Sequence, residues 1–173
     1  MYTNDCGPYS ASATVSDPQA STSNDLTVVI ACQMQITNLV VRPNFRRPSR
    51  DKFSIRAIIE MPDGFSPTSK SVAVGVGGAQ ASFTLNAKGR GANALGTCRL
   101  SFNTKTNDWT LKVKQHKGSW QIPWDAAGLV NADVPKPGIP VTITAVVLVD
   151  TEGFAADDSL TYTAKANKSG LAR

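Results

Sequence analysis

The chain has 173 residues, of which 41% are hydrophobic and 18% charged, and its formal net charge is +5. This apolar content supports a folded core and excludes a wholly disordered chain, and the length predicts one domain. A single histidine excludes histidine-rich metal sites and leaves few routes to acid–base catalysis near neutral pH. The chain contains no run of 18 apolar residues, so we expect no membrane insertion.

The N-terminal segment differs in composition from the rest of the chain. Residues 1–25 are polar and rich in turn-forming residues, which predicts an arm or linker that precedes one β-domain over residues 26–173. From Leu26 onward, apolar and polar residues alternate, as they do in strands with one buried face. The first alternating stretch covers residues 26–37 and is too long for one flat strand, so we expect a bend or bulge within it.

Alternation recurs in further stretches that are separated by turn signals rich in glycine, proline and aspartate. The side chains predicted to face inward lie in Phe53–Met61, Val72–Val76, Ala81–Leu85, Cys98–Phe102 and Trp109–Val113. Residues 141–149 form the most apolar predicted strand, and Leu160, Tyr162 and Ala164 belong to the last one. We expect a flexible loop at 88–96, a stiff connector at 135–140 and one short helix at 123–130. Seven to nine short strands of this kind predict an all-β fold, a two-sheet antiparallel β-sandwich.

Three cysteines are present, Cys6, Cys32 and Cys98, so at most one internal disulfide bond can form. Cys98 is in phase with inward-facing residues and is predicted to pack as a small hydrophobe. We favour a disulfide bond between Cys6 and Cys32, which would hold the arm, over one between Cys32 and Cys98. The spacing of the cysteines and the lone His116 matches no zinc pattern, and we expect neither a metal nor a cofactor.

The sequence contains no recognisable catalytic constellation, and we predict that the protein is not an enzyme. His116 lies among lysines near a strand end and is interpreted as a surface residue. A Gly-x-Ser-x-Gly nucleophile elbow is absent, and the glycines at 75–78 are interpreted as a hairpin because no helix follows them. The acidic residues at 150–158 are interpreted as a solvated loop rather than a calcium site. A hydrolase that uses two carboxylates is the one enzymatic alternative.

Two tryptophans are candidate carbohydrate-binding residues. Trp120 and Trp124 flank a three-residue segment, and exposed paired indoles can stack on sugar rings. The alternative is that both indoles cap one end of the sandwich over the short helix.

Basic residues form two further candidate surfaces. The predicted anion-binding patch consists of Arg42, Arg46, Arg47, Arg50 and Lys52. A second set is predicted on one outer strand face and consists of Lys105, Lys112, Lys114 and Lys117. Nucleic acid is not the expected partner, because only Phe45 is available to stack a base beside the first patch. An acidic polysaccharide or another anionic surface suits the same charges.

Six turn and strand-end motifs follow one another between Met34 and Arg173. They are Arg50–Ile55, Met61–Thr68, Val76–Gly78, Ser82–Gly89, Leu129–Val134 and Leu160–Ala166. On these motifs the chain resembles an uncharacterised immunoglobulin-like β-sandwich module of large secreted or surface proteins of environmental bacteria. The resemblance implies an extracellular or cell-surface setting beside other domains, and it implies no catalytic residues.

Together these features predict a non-enzymatic structural or adhesive module of a secreted or cell-surface assembly. Its expected partners are other domains or subunits, and polysaccharide. The alternatives are a carbohydrate-binding module that uses Trp120 and Trp124, and a fibre or coat subunit that assembles by strand addition through the arm. No signal peptide is visible, and we interpret the chain as a mature fragment.

Overall fold

The computed structural model describes residues 9–13, 26–30, 34–47 and 49–173, with side chains from residue 34 onward. These residues form twelve strands and one short helix. The strands are β1 (Tyr9–Ala13), β2 (Leu26–Ile30), β3 (Met34–Arg42), β4 (Asp51–Ile59), β5 (Ser71–Val76), β6 (Ala79–Thr84), β7 (Arg90–Asn93), β8 (Gly96–Asn103), β9 (Asp108–Gly118), β10 (Val134–Val149), β11 (Glu152–Lys165) and β12 (Ser169–Ala172). The helix α1 (Gln121–Ala126) lies between β9 and β10 and is too short to span a bilayer.

The described strands belong to one hydrogen-bonded sheet. Its order is β6-β5-β10-β11-β12-β3-β4-β9-β8-β7, and β1 pairs with β2. Neighbouring strands are antiparallel, except that β2 runs parallel to β11 where Ile30 meets Gly153. The all-β class, the antiparallel pairing and the short helix are therefore confirmed. The division into two sheets and the immunoglobulin-like relationship are not confirmed, because the strands form a single sheet.

The two end strands of this sheet, β6 and β7, approach each other. The side-chain amide of Asn93 donates to the carbonyl of Ser82 at 3.1 Å. Gly91 makes this approach possible, because a Cβ at that position would lie 2.8 Å from the carbonyl oxygen of Thr84. The two strands form no ladder, so the sheet is not closed, but each lies against the other rather than presenting a free edge.

Alternating burial builds the core. In β4, the side chains of Phe53, Ile55, Ala57 and Ile59 are buried, and those between them face outward. The same alternation runs from Val141 to Val149 in β10. Because successive strand residues point to opposite faces, each strand contributes one apolar face, and these faces form one hydrophobic cluster.

The first alternating stretch, residues 26–37, contains β2 and the beginning of β3. Residues 31–33 between them lie outside the described part. The expected bulge is present at Thr37, where the pairing with β4 shifts between Ile36 and Asn38. The bulge changes the phase of burial, so that Met34 is buried before it and Leu39 and Val41 after it.

Several local predictions were wrong. The expected loop at 88–96 contains β7, whose mostly exposed side chains carry no alternating apolar signal. The expected connector at 135–140 belongs to β10, which pairs irregularly with β11 between Val134 and Ile139. The helix ends at Ala126 rather than Val130. Phe102 was predicted to face inward but is 44% exposed, because β8 extends beyond the core at that end.

The predicted arm contains a strand, since β1 pairs with β2 of the same chain. The remaining residues of the arm, 1–8 and 14–25, lie outside the described part. Cys6 and Cys32 lie there too, so the disulfide bond between them stays a prediction.

Candidate functional site

The outward side chains of β3, β4, β7, β8 and β9 carry a continuous set of cations, which we name the basic face. It consists of Arg42, Lys52, Arg56, Arg90, Arg99, Lys112 and Lys114. Among the residues described, ion pairs form only elsewhere, between Lys70 and Asp150 and between Lys165 and Asp133. The basic face therefore has no carboxylate partner within the described structure.

Four of these cations form a row across neighbouring strands. Lys112 lies directly opposite Arg56 on one side and Arg99 on the other, and Arg99 lies opposite Arg90. Strands are spaced by about 4.8 Å, so the row spans about 15 Å. Like charges in directly opposed positions destabilise a sheet, so this row lowers the stability of the free protein. An anionic ligand that lies along the row would remove that repulsion.

The end of the row lines a concavity of about 500 Å³. Its cations are Arg90, Arg99, Lys112 and Lys114, and small residues of β7 leave room beside them. Asn86 and Thr97 add polar groups to the lining. A concave surface that is lined by one sign of charge focuses the electrostatic potential and concentrates counter-ions of the opposite sign.

Cys98 also lines this concavity, but its thiol is buried, with 3% of the residue exposed. Burial raises the pKa of the Cys98 thiol to about 12. The thiolate is the reactive form of cysteine, so Cys98 is protonated and inert at neutral pH despite its cationic surroundings. This agrees with its predicted role as a small core hydrophobe.

We expect iodoacetamide at pH 8 to alkylate Cys98 at least about 100-fold more slowly in the folded protein than in urea, because both the thiolate and access are lacking. Mass spectrometry of the peptide that contains Cys98 measures the rate separately from the other two cysteines. Equal rates in the folded and unfolded protein would contradict a buried thiol.

The predicted anion-binding patch is divided by the structure. Arg42 and Lys52 are directly opposed on β3 and β4 and belong to the basic face. Arg46, Arg47 and Arg50 are exposed on the segment that joins these strands. From the second predicted set, Lys112 and Lys114 lie on the basic face, whereas Lys105 lies in the β8–β9 turn and Lys117 at the end of β9.

Arg56, Arg90 and Arg99 carry no local motif in the sequence that assigns them to a site. The outward phase of Arg56 and Arg99 was visible in the alternating pattern. Their convergence was not, because it depends on the order β4-β9-β8-β7.

Asp51 holds the segment between β3 and β4 against α1. Its carboxylate is fully buried and accepts hydrogen bonds from the backbone N–H groups of Asn44 and Trp120, both at 2.7 Å. The carbonyl of Asn44 accepts a further bond from the side-chain amide of Gln121 at 2.6 Å. These bonds fix the conformation of the chain beside Arg42 and Lys52.

The two candidate tryptophans do not form an exposed pair, so the structure corrects that expectation. Trp124 is fully buried, and its indole N–H donates to the carbonyl of Val76 at 3.0 Å. Trp120 is partly buried and packs on Phe53, with ring centroids 5.2 Å apart. The two indoles pack on each other, with ring centroids 5.3 Å apart, and Trp124 has no free ring face to offer a sugar.

Glycines let the helix approach the β5–β6 turn closely enough to bury Trp124. A Cβ at Gly77 would lie 3.2 Å from Cδ1 of Trp124, and one at Gly78 would lie 2.7 Å from Cβ of Pro123. Both glycines also have positive φ, which the tight turn requires.

A second concavity, which we name the aromatic cleft, lies where β4 ends and the antiparallel strand β9 begins. It has a volume of about 1100 Å³. Phe65, Trp109 and Phe102 form a row in it, with Trp109 in the middle and ring centroids 5.1 and 5.3 Å from those of its neighbours. Its lining also contains polar and acidic side chains, namely Glu60, Asp63, Thr106, Asn107 and Asp108.

The structure leaves the remaining predictions of chemistry open. His116 is exposed and lies opposite Lys52. Within the described residues, no group of three or more His, Cys, Asp or Glu side chains is arranged to hold a metal ion.

The acidic residues of the predicted loop at 150–158 are spread over the β10–β11 turn and β11. Asp150 pairs with Lys70, and Asp157 accepts a hydrogen bond from the hydroxyl of Thr144 at 2.6 Å.

Comparison with known proteins gives no match to a family model, to a curated protein or to a solved structure. Membership of the bacterial surface module therefore stays a prediction. The assignment of a function depends on the geometry of the basic face and the aromatic cleft.

Proposed function

We propose that the protein is a non-enzymatic adhesive module of an extracellular or cell-surface assembly, and that its basic face binds an acidic polysaccharide. The observation that supports this proposal is the row of opposed cations on β4, β9, β8 and β7, without carboxylate partners among the described residues. The repulsion between these cations destabilises the free protein, and a polyanionic partner would remove it on binding.

The other outward side chains of these strands favour a polysaccharide over a nucleic acid. They include hydroxyl groups beside the cations, since Lys114 lies between Ser54 and Thr97, and Thr110 faces Ser101. Hydroxyls and cations suit the hydroxyls and carboxylates of an acidic glycan. No phenylalanine, tyrosine or tryptophan is among the outward residues of these described strands, so bases would find no stacking platform there.

The proposal includes an immunoglobulin-like sandwich arrangement in which the single sheet folds over so that its two halves cover one core. Two features support this arrangement. Buried side chains from strands at both ends of the sheet order, including Phe83 of β6 and Leu100 of β8, belong to the same hydrophobic cluster. The end strands β6 and β7 also lie against each other. The support for the extracellular setting is the resemblance of the turn and strand-end motifs to those of the bacterial surface module.

The test compares binding of polygalacturonate by the wild-type chain and by the double variant Arg99→Gln/Lys112→Gln. A cation close to an anionic surface contributes on the order of 1 kcal/mol, so we expect the double variant to bind at least about tenfold more weakly. Binding by the wild type should also weaken as ionic strength rises.

The matched control is Lys136→Gln, an exposed cation on β10 that is outside the basic face. It should bind polygalacturonate like the wild type. Equal losses in the control and the double variant, or no loss in either, would refute the proposal. Tighter binding of single-stranded DNA than of polygalacturonate would also refute it.

Strand addition to a second copy of the chain is less well supported. The end strands of the sheet lie against each other, and β1 pairs with β2 of its own chain. Native mass spectrometry distinguishes a monomer from an assembling subunit.

A further inference from the structure

We propose that the ligand is an acidic heteropolysaccharide whose charged residues are separated by uncharged sugars, and that an uncharged sugar occupies the aromatic cleft. This inference rests on the proposed function of the basic face. It adds a second subsite and with it the class of glycan that the module would select.

The aromatic cleft offers an apolar surface for the face of a sugar ring. Phe102 is 44% exposed, although its ring packs on that of Trp109, which in turn packs on Phe65 and against the core. Folding alone gives little reason for an exposed phenylalanine at the end of β8. An aromatic ring that is held by a neighbouring ring and partly exposed can stack against the C–H groups of a pyranose.

The polar lining of the cleft selects an uncharged ligand. Its carboxylates, Glu60, Asp63 and Asp108, accept hydrogen bonds from hydroxyl groups and repel other carboxylates. Asn107 and Thr106 can both donate and accept. No lysine or arginine lines the cleft within the described structure, so it offers no compensation for a uronate or sulfate group.

The cleft adjoins the basic face along the same two strands through residues of the outward phase. Phe102 and Trp109 have the inward phase, so a glycan that reaches both surfaces passes around the strand ends. On β4, Arg56 belongs to the row of cations, whereas Ile58 lines the cleft, as does Glu60 directly after the strand. On β9, Lys112 belongs to the row and Asp108 to the cleft. Four residues of strand cover about 13 Å, a distance that a few linked sugars can span.

The charge of the surface therefore changes sign along the direction of the strands. A polymer with a charge on every sugar satisfies the basic face but meets the carboxylates of the cleft. A polymer with uncharged sugars between its charges can satisfy both surfaces. This difference makes the aromatic cleft a specificity determinant beside a general anion-binding surface.

The experiment uses two probes and two variants. Hyaluronate alternates a uronate with an uncharged N-acetylated sugar, and polygalacturonate carries a charge on every sugar. We expect Phe102→Thr to weaken binding of hyaluronate by about tenfold and to leave that of polygalacturonate within about twofold, because only hyaluronate loses the stacking contact. Arg99→Gln should weaken binding of both polymers.

Val146→Ser is the matched control, because Val146 is 45% exposed on β10, outside both the basic face and the cleft. Asn107→Gly is a second test of the cleft. It removes a polar side chain from the lining, and glycine tolerates the positive φ of residue 107. It should weaken binding of hyaluronate alone.

The outcomes separate the two proposals. If Arg99→Gln leaves both affinities unchanged, the proposed function of the basic face is wrong. If Arg99→Gln weakens both but Phe102→Thr and Asn107→Gly change neither, the basic face stands and the sugar subsite is overturned. A loss of hyaluronate binding in Val146→Ser equal to that in Phe102→Thr would also overturn the subsite.

Discussion

Replacing Trp124 with alanine is expected to lower the free energy of unfolding by about 3–5 kcal/mol, a large share of the stability of a typical domain. The indole is fully buried between α1 and the β5–β6 turn, so its removal leaves a cavity. The carbonyl oxygen of Val76 would also lose its hydrogen-bond donor, the indole N–H. Urea denaturation followed by far-ultraviolet circular dichroism measures the loss.

Ile122 provides the control for Trp124 within the same helix. It is 88% exposed, so Ile122→Ala should change the free energy of unfolding by less than about 0.5 kcal/mol. A loss below 1 kcal/mol for Trp124→Ala, or comparable losses for both variants, would be incompatible with the buried position of Trp124.

Replacing Asp51 with alanine is expected to destabilise the protein by about 2–5 kcal/mol. The substitution removes a buried acceptor from the backbone N–H groups of Asn44 and Trp120 and leaves two donors without partners. Asp51→Asn should cost less, because it preserves one acceptor oxygen and the shape of the side chain. The same denaturation experiment at neutral pH measures both variants.

Asp63 is the matched control for Asp51, since it is an exposed aspartate in a turn. Asp63→Ala should leave the unfolding midpoint nearly unchanged. If Asp51→Ala were as stable as Asp63→Ala, the carboxylate of Asp51 would not be the acceptor that joins the β3–β4 segment to α1.

The sequence could predict local features of the fold because strand periodicity is local. The inward phase of Phe53, Ile55, Ala57 and Ile59 follows from their spacing, and all four are buried. A segment without that periodicity, such as β7, escaped prediction because its pairing with β8 rather than its composition makes it a strand. Phe102 had the correct phase but lies beyond the core, and phase says nothing about where a core ends.

The candidate sites depended on contacts between residues distant in sequence. The row of Arg56, Lys112, Arg99 and Arg90 exists only because four particular strands are neighbours, an order that periodicity does not specify. Trp120 and Trp124 showed the same limit, because burial of an indole on a six-residue helix depends on the sheet that faces it.

The close approach of the two end strands at Gly91 has a consequence for solubility. Open sheet edges invite pairing between molecules, and proteins often protect them with charged residues, prolines or bulges. Here each edge strand shields the other. This protection requires glycine at position 91, because the Cβ of any other residue would lie 2.8 Å from the carbonyl oxygen of Thr84. A side chain at Gly91 would push both edge strands apart and expose two unpaired strand edges, so that substitution of a residue without a functional group would favour aggregation.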